Sequence, residues 1–356
     1  AVARLSRSRR FQRPFWAEWF ERVEADAAAG RPTRHHMVNA RRQLTSCWGD
    51  VPDELRPALW LKLSDGHRRS NRYLENLKPP LGLTEVEQNT LSQIRRDLDR
   101  TPRSLLCGSA SIEREVRSQA AERILIAFSR YQPAIGYCQG LNFVAATLLR
   151  ILDEDSAFVV FCGLLERLPC DLYLSDSERL AQCRLLEEDR FRSMLATTSP
   201  ALASHLEELE LDLNLFLPRW LSCLFSDVLP SRSTLRLWDY VLGADGWEAV
   251  PRLAVALLVR AEERFCRAAD LQEALEVIFD AVRRITSADV DSMLSQELRD
   301  PQLSEEGCDP LHMGQGGGEG REDMEQKWSA DDASTMASTT FTEGESMETP
   351  LPEGAA

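Results

Sequence analysis

The chain has 356 residues, 43% hydrophobic and 28% charged, with a formal net charge of −15. Residues 301–356 hold 13 acidic residues against Arg321 and Lys327, so most of that charge belongs to the C-terminal segment; the only slightly acidic remainder argues against a nucleic-acid surface, which wants a basic, aromatic-laced patch. Nine cysteines without a C-x-x-C pair read as reduced thiols in the cytoplasm, and no apolar run reaches the roughly 18 residues that a membrane-spanning helix needs.

Residues 1–44 open with Arg4, Arg7, Arg9 and Arg10, and no apolar h-region follows them, so no secretory signal is expected. Phe15, Trp16, Trp19, Phe20 and Val23 then fall at helical spacing, which predicts an amphipathic helix packed on the main body. The rival reading is a peripheral membrane contact by aromatic and basic residues together, with recruitment to endomembranes. "AGRPTRHH" breaks this segment.

From 45 to 298, helical patterns alternate with short breakers such as "WGDVPDE", "NLKPPLGLT", "YQPAIG" and "DVLPSRS". Asp53 and Thr84 are candidate N-caps, and Thr84 with Glu87 forms a capping box that opens "EVEQNTLSQIRRDLDR". Pro102 disfavours helical angles at Thr101, so that helix is expected to end near Arg100. "LNFVAATLLRILD" is apolar nearly all round and should be buried. "LELDLNLFL" at 209–217 alternates as a strand would, but a lone strand has nothing to pair with, so a helix end and an extended connector are expected. Residues 299–356 are Gly-, Ser/Thr- and acid-rich and should be disordered. The fold class is all-α.

Independent chemistry is hard to find. There is no G-x-x-x-x-G-K-[ST] loop, H-E-x-x-H, Rossmann fingerprint or G-x-S-x-G elbow. His35, His36, His67, His205 and His312 show no spacing that suggests a metal site. Cys138, ahead of a helix N-terminus, could be read as a nucleophile, but no well-placed histidine supports it.

Two segments carry more. In "QIRRDLDR", Ile94, Asp97 and Arg100 recur every three residues and are helical neighbours. Ile94 can face the core while Asp97 directs Arg100 outward, although an i,i+3 ion pair at a helix end is also a routine surface feature. In "GYCQGLN", Gln139 lies between Gly136 and Gly140 at the start of the buried helix. Glycines cost helix stability, so two of them here point to close backbone approach, by another molecule's backbone on this reading, or to an unusual turn.

Together and in this order, "IRRDLDR" and "YCQ" match I-x-x-D-x-x-R and Y-x-Q, and the chain resembles the TBC domain family of Rab GTPase-activating proteins. Arg56 and Trp60 in "VPDELRPALWLKLSDG" fit the family's R-x-x-x-W, and "LPRWLSCLFSDVLPSRSTLRLWDYVLGADG" resembles its later helices; the likeness covers roughly 45–298. It implies a multi-helix Rab-GAP domain between a basic, aromatic extension (1–44) and the acidic tail. It implies an activator with no independent catalytic activity, which would complete the active site of a GTP-bound Rab in trans and so regulate vesicle trafficking. Arg100 would stabilise charge on the phosphate oxygens and Gln139 would orient the attacking water, with Asp97, Tyr137 and Asn142 holding them. Ile94, Arg56, Trp60, Gly136 and Gly140 would be structural. The chain itself would hold no metal or cofactor, since GTP and magnesium belong to the Rab. The physics is consistent: phosphoryl transfer needs alignment and charge stabilisation more than covalent help. A catalytically silent Rab-binding scaffold is the alternative. A plain helical solenoid is disfavoured, because no 33–47-residue repeat is visible.

Overall fold

Caps and breakers place most helices where the periodicity predicts them. The computed structural model describes residues 2–45, 51–64, 72–73, 75–77, 84–106, 111–169 and 177–295, with side chains described except at 2–14, 111–112 and 177–182. The expected tail at 299–356 lies outside the described residues. In chain order the first helices are α1 (Val2–Ala28), α2 (Arg34–Leu44), α3 (Arg56–Leu63), α4 (Glu85–Asp99), α5 (Arg103–Leu106), α6 (Ser111–Tyr131), α7 (Leu141–Leu148) and α8 (Glu154–Leu165). They are followed by α9 (Ser177–Thr198), α10 (Pro200–Glu208), α11 (Leu217–Ser222), α12 (Ser231–Leu242), α13 (Ala249–Phe265), α14 (Leu271–Arg283) and α15 (Ser287–Ser295). No strand occurs among the described residues, and no helix among them is long and apolar enough to cross a membrane.

The capping box at Thr84 is formed in both halves. The Thr84 hydroxyl accepts from the Glu87 N–H at 3.2 Å, and the Glu87 carboxylate accepts from the Thr84 N–H at 3.0 Å. The other expected cap is a correction. Helix α3 begins at Arg56 behind Leu55, after a turn in which the Leu55 N–H bonds the Pro52 carbonyl. Asp53 therefore lies too early to cap, and it accepts instead from Arg56 and Arg232. The 209–217 segment is also not extended throughout. Asp212 caps a short 3-10 turn, Leu213–Leu215, and Glu210 adopts a left-handed φ of 49° where α10 ends.

Trp16, Trp19 and Val23 of α1 are buried in the same hydrophobic core as the later helices, and the Trp19 indole N–H donates to the His36 carbonyl at 2.9 Å. The aromatic stripe thus packs on the body, and no membrane contact is proposed for it. Helices α7 and α8 are buried on nearly every side, α7 as its all-round apolar sequence predicts.

Helix α12 packs on α2, α3 and α8 from the first part of the chain and on α13 and α15 from the last. All ten residues from Ser233 to Leu242 are buried, including Arg236 and Asp239. Buried charges must be paired, and these are. Asp239 accepts from Arg56 Nη2 (3.1 Å), Trp60 Nε1 (2.8 Å) and Arg236 Nη1 (3.3 Å), so α3 is tied to α12 by ionised hydrogen bonds. Arg236 continues through Nε to Asp291 (2.6 Å), which also accepts from the Tyr240 hydroxyl (3.0 Å). Burial opposes the Arg236 charge, yet Asp291 and Asp239 outweigh it and hold the guanidinium's pKa above its ordinary value. Arg56 and Trp60 thus lie in this buried network.

Candidate functional site

The site is built on the end of α4. Ile94 is fully buried and fixes the rotation of the helix. One turn on, Asp97 is only 3% exposed, while Arg100, the C-cap residue, keeps its side chain 67% exposed. An Arg100 Nη2 to Asp97 Oδ1 hydrogen bond joins them, and the Tyr137 hydroxyl donates to Asp97 Oδ2 at 2.8 Å. Burial, then the hydrogen bond to Asp97, pushes the Tyr137 pKa up, so the phenol remains a donor. Both oxygens of one buried carboxylate are thus occupied, one by each candidate segment.

The carbonyl of Asp97 would be an orphan at the helix end. It accepts from the Thr101 hydroxyl (2.9 Å) and from Asn142 Nδ2 (3.3 Å), and the same Asn142 nitrogen donates to Thr101 Oγ1 (2.9 Å). Asn142 Oδ1 in turn accepts from the Gly140 N–H at 3.2 Å. Asn142, near the start of buried α7, therefore ties the segment around Gln139 to the end of α4.

The glycines answer to the chain's own turn and packing. Gly136 has φ +61° and its N–H bonds the Gln132 carbonyl at 2.8 Å; a Cβ there would meet only Pro133 O, at 3.9 Å. Gly140 has φ +111°, and a Cβ there would lie 2.7 Å from Cys223 Sγ and 3.4 Å from Ser222 Oγ. The close approach at Gly140 is therefore made by the end of α11. That end is itself held by a tight turn in which Leu224 and Phe225 take left-handed φ values of 48° and 59°. The Phe225 N–H bonds the Trp220 carbonyl (3.0 Å) and the Trp238 indole N–H bonds the Leu224 carbonyl (3.1 Å), which fixes the turn against α12. Between the two glycines, Gln139 is exposed and its carboxamide makes no hydrogen bond to any described residue.

The predicted residues Ile94, Asp97, Arg100, Tyr137, Asn142, Gly136 and Gly140 thus gather at one place, while Arg56 and Trp60 belong to the buried α3–α12 clamp. Sequence reasoning missed Thr101 and Cys223. Thr101 has a local signal, a hydroxyl placed after a helix and before Pro102, but Cys223 has none. Cys138 does not read as a nucleophile: burial pushes its thiol pKa up, opposite to activation. One group of metal-ligand type was also missed. Donor atoms of Asp26, His35 and His36 lie within 4.8 Å of one another. Asp26 is already committed, accepting from Arg31 Nε at 2.7 Å and lying 2.7 Å from His36 Nε2, so the group acts as a clamp between α1 and α2.

Chemically, the site offers a permanently charged planar guanidinium and a neutral amide with both donor and acceptor, presented to solvent from a buried hydrogen-bonded base. That set can neutralise charge and orient a small polar molecule.

Comparison with known proteins identifies the fold and the family. The chain is 35% identical over 253 residues to TBC1 domain family member 2A of Rattus norvegicus, a match covering 68% of this chain and 25% of that protein, so the chain spans about a quarter of that relative's length. It is 28% identical over 255 residues to Growth hormone-regulated TBC protein 1-A of Danio rerio, covering 70% and 69% of the two chains. Its fold is similar to the crystal structure of the Chlamydomonas flagellar RabGAP TBC domain, with a TM-score of 0.62 at 21% identity over 82% of this chain and 93% of that one. It also resembles the Ypt/Rab-GAP domain of Gyp1p, with a TM-score of 0.58 at 19% identity over 70% and 88%. The RabGAP-TBC family profile (Rab-GTPase-TBC domain) matches residues 53–266, the stretch that carries both candidate segments and the α3–α12 clamp, and the chain belongs to that family.

Proposed function

We propose that this chain is a GTPase-activating protein for a Rab-type small GTPase, supplying Arg100 and Gln139 in trans and so limiting the lifetime of a GTP-bound Rab in vesicle trafficking. The observation that carries the reading is the single buried carboxylate of Asp97, which takes Arg100 on one oxygen and Tyr137, two residues before Gln139, on the other. Groups from separate parts of the chain are thereby fixed to one base, and a base that is ordered before the partner arrives reduces the entropy of reaching the transition state.

On docking, the Arg100 guanidinium neutralises charge developing on the phosphate oxygens, and the Gln139 carboxamide accepts from and donates to the attacking water. The α4 terminus then needs no rebuilding, because its Asp97 carbonyl is already satisfied by Thr101 and Asn142. GTP and magnesium are brought by the GTPase, and this chain binds, orients and stabilises without forming a covalent intermediate. The test is single-turnover GTP hydrolysis across a panel of Rab GTPases, with the wild-type chain, Arg100→Ala and Gln139→Ala. Acceleration by the wild type that both substitutions abolish is expected. Tight binding of a Rab with no acceleration would replace this reading by the silent scaffold.

A further inference from the structure

Beside the finger segment lies a second arginine that the proposed mechanism does not use. Arg219 in α11 is one turn before Cys223, the residue packed on Gly140, and its guanidinium carbon sits 5.8 Å from the ring centre of the partly exposed Phe143. Its side chain is 63% exposed, yet it is anchored: Nε bonds Asp227, whose side chain is wholly inaccessible. Burial raises the Asp227 pKa, and the bond to Arg219 pulls the other way. The two terminal nitrogens of Arg219 make no hydrogen bond to any described residue. A guanidinium stacked on an aromatic face and tied by Nε holds its outer edge in a fixed direction, and that edge is the bidentate fork that fits a carboxylate. Arg184 of α9, also exposed, lines one small cleft with Glu188 and with Leu217, Pro218 and Leu221 of α11. Two exposed cations therefore lie along α11, whose end packs on Gly140, in a folded region whose overall balance is acidic.

We infer that Arg219, with Arg184 beside it, is a specificity-determining positioning residue that grips a carboxylate on the surface of the GTPase next to its nucleotide. This rests on the proposed GTPase-activating function. Arg219 sets which GTPase docks and in what register, while Arg100 and Gln139 act on the reacting groups. A partner with a neutral or basic side chain at that place is docked poorly.

The test uses the full chain and the Rab that the panel shows to be accelerated most, measuring KM, kcat and their dependence on salt. Arg219→Ala could unfold the α11 turn by stranding Asp227, so it is made both alone and with Asp227→Asn, which removes the stranded charge. Arg184→Ala, at an exposed site, is the third variant. The expected result for the Arg219→Ala/Asp227→Asn pair is a KM raised about tenfold with kcat retained, and a shallower loss of kcat/KM with salt than in the wild type. Arg184→Ala should shift KM in the same direction by less. A KM restored in the double variant would show that Arg219 serves only to neutralise Asp227. An unchanged KM, or a fall confined to kcat, would likewise overturn the inference while leaving the finger reading standing. If no Rab is accelerated, the function fails first, and affinity for GTP-bound Rabs decides the inference: no loss of binding in these variants overturns it.

Discussion

Replacing Gly140 by alanine tests whether the backbone geometry around Gln139 is set from within the chain. The φ of +111° lies outside the regions that L-residues favour, which costs about 1–3 kcal/mol. The new Cβ would also stand 2.7 Å from Cys223 Sγ, and Cys223 is only 2% exposed, so the sulfur has little room to retreat. Forced overpacking of this kind costs about 1–3 kcal/mol. The two together predict a loss of about 4 kcal/mol, read as the urea midpoint of the full chain by circular dichroism. Gly136→Ala is the internal control. Its φ of +61° carries backbone strain alone, because the nearest atom to its Cβ is 3.9 Å away, so a loss of about 1–2 kcal/mol is expected. Adding Cys223→Ala to Gly140→Ala should recover part of the loss, giving a favourable coupling of about 1–2 kcal/mol. Equal losses at the two glycines, or no coupling to Cys223, would refute the internal-packing account.

Asp239→Ala removes the buried acceptor shared by Arg56, Arg236 and Trp60 Nε1, leaving Arg56 only Asp53 and Arg236 only Asp291 as carboxylate partners; a loss of about 3 kcal/mol is expected in the same unfolding assay. The Glu87 carboxyl is held below its ordinary value of 4.5, first by the hydrogen bond from the Thr84 backbone. The unfolded chain then binds more protons than the native one, so this contribution is present above the ordinary carboxylate value and is lost as pH falls through the lowered native value. The fall in urea midpoint between about pH 6 and pH 3 should therefore be smaller in Glu87→Gln than in the wild type, and an unchanged fall would contradict the capping-box assignment.

Much of this arrangement is legible in the sequence wherever the cause is local. The capping box at Thr84, the stop at Arg100, the inward Ile94 and the outward Arg100 all follow from side chains three or four positions apart or from Pro102. The burial of α7 follows from composition. What could not be read is non-local. Asp53 has the chemistry of a cap, but its oxygens are claimed by Arg56 and by Arg232 from far along the chain. Gly140 signals freedom of φ without revealing that Cys223 occupies the missing Cβ's place. The alternation at 209–217 imitates a strand only as far as Leu213; the 3-10 turn then brings residues three apart to one side, so Leu213 and Phe216 are buried while Leu215 is exposed. The clustering of Asp26, His35 and His36 depends on a hairpin whose angle no spacing rule encodes.

The most direct measurement is the single-turnover rate of GTP hydrolysis by an accelerated Rab with Arg100→Lys, read beside the affinity for that Rab. Lysine keeps the charge but loses the planar fork held by Asp97. An arginine delivered in trans is worth on the order of 10³ to 10⁵ in rate, so the acceleration should collapse while binding persists. Full acceleration with lysine, or with alanine at the same position, would contradict the arginine's part in the reaction.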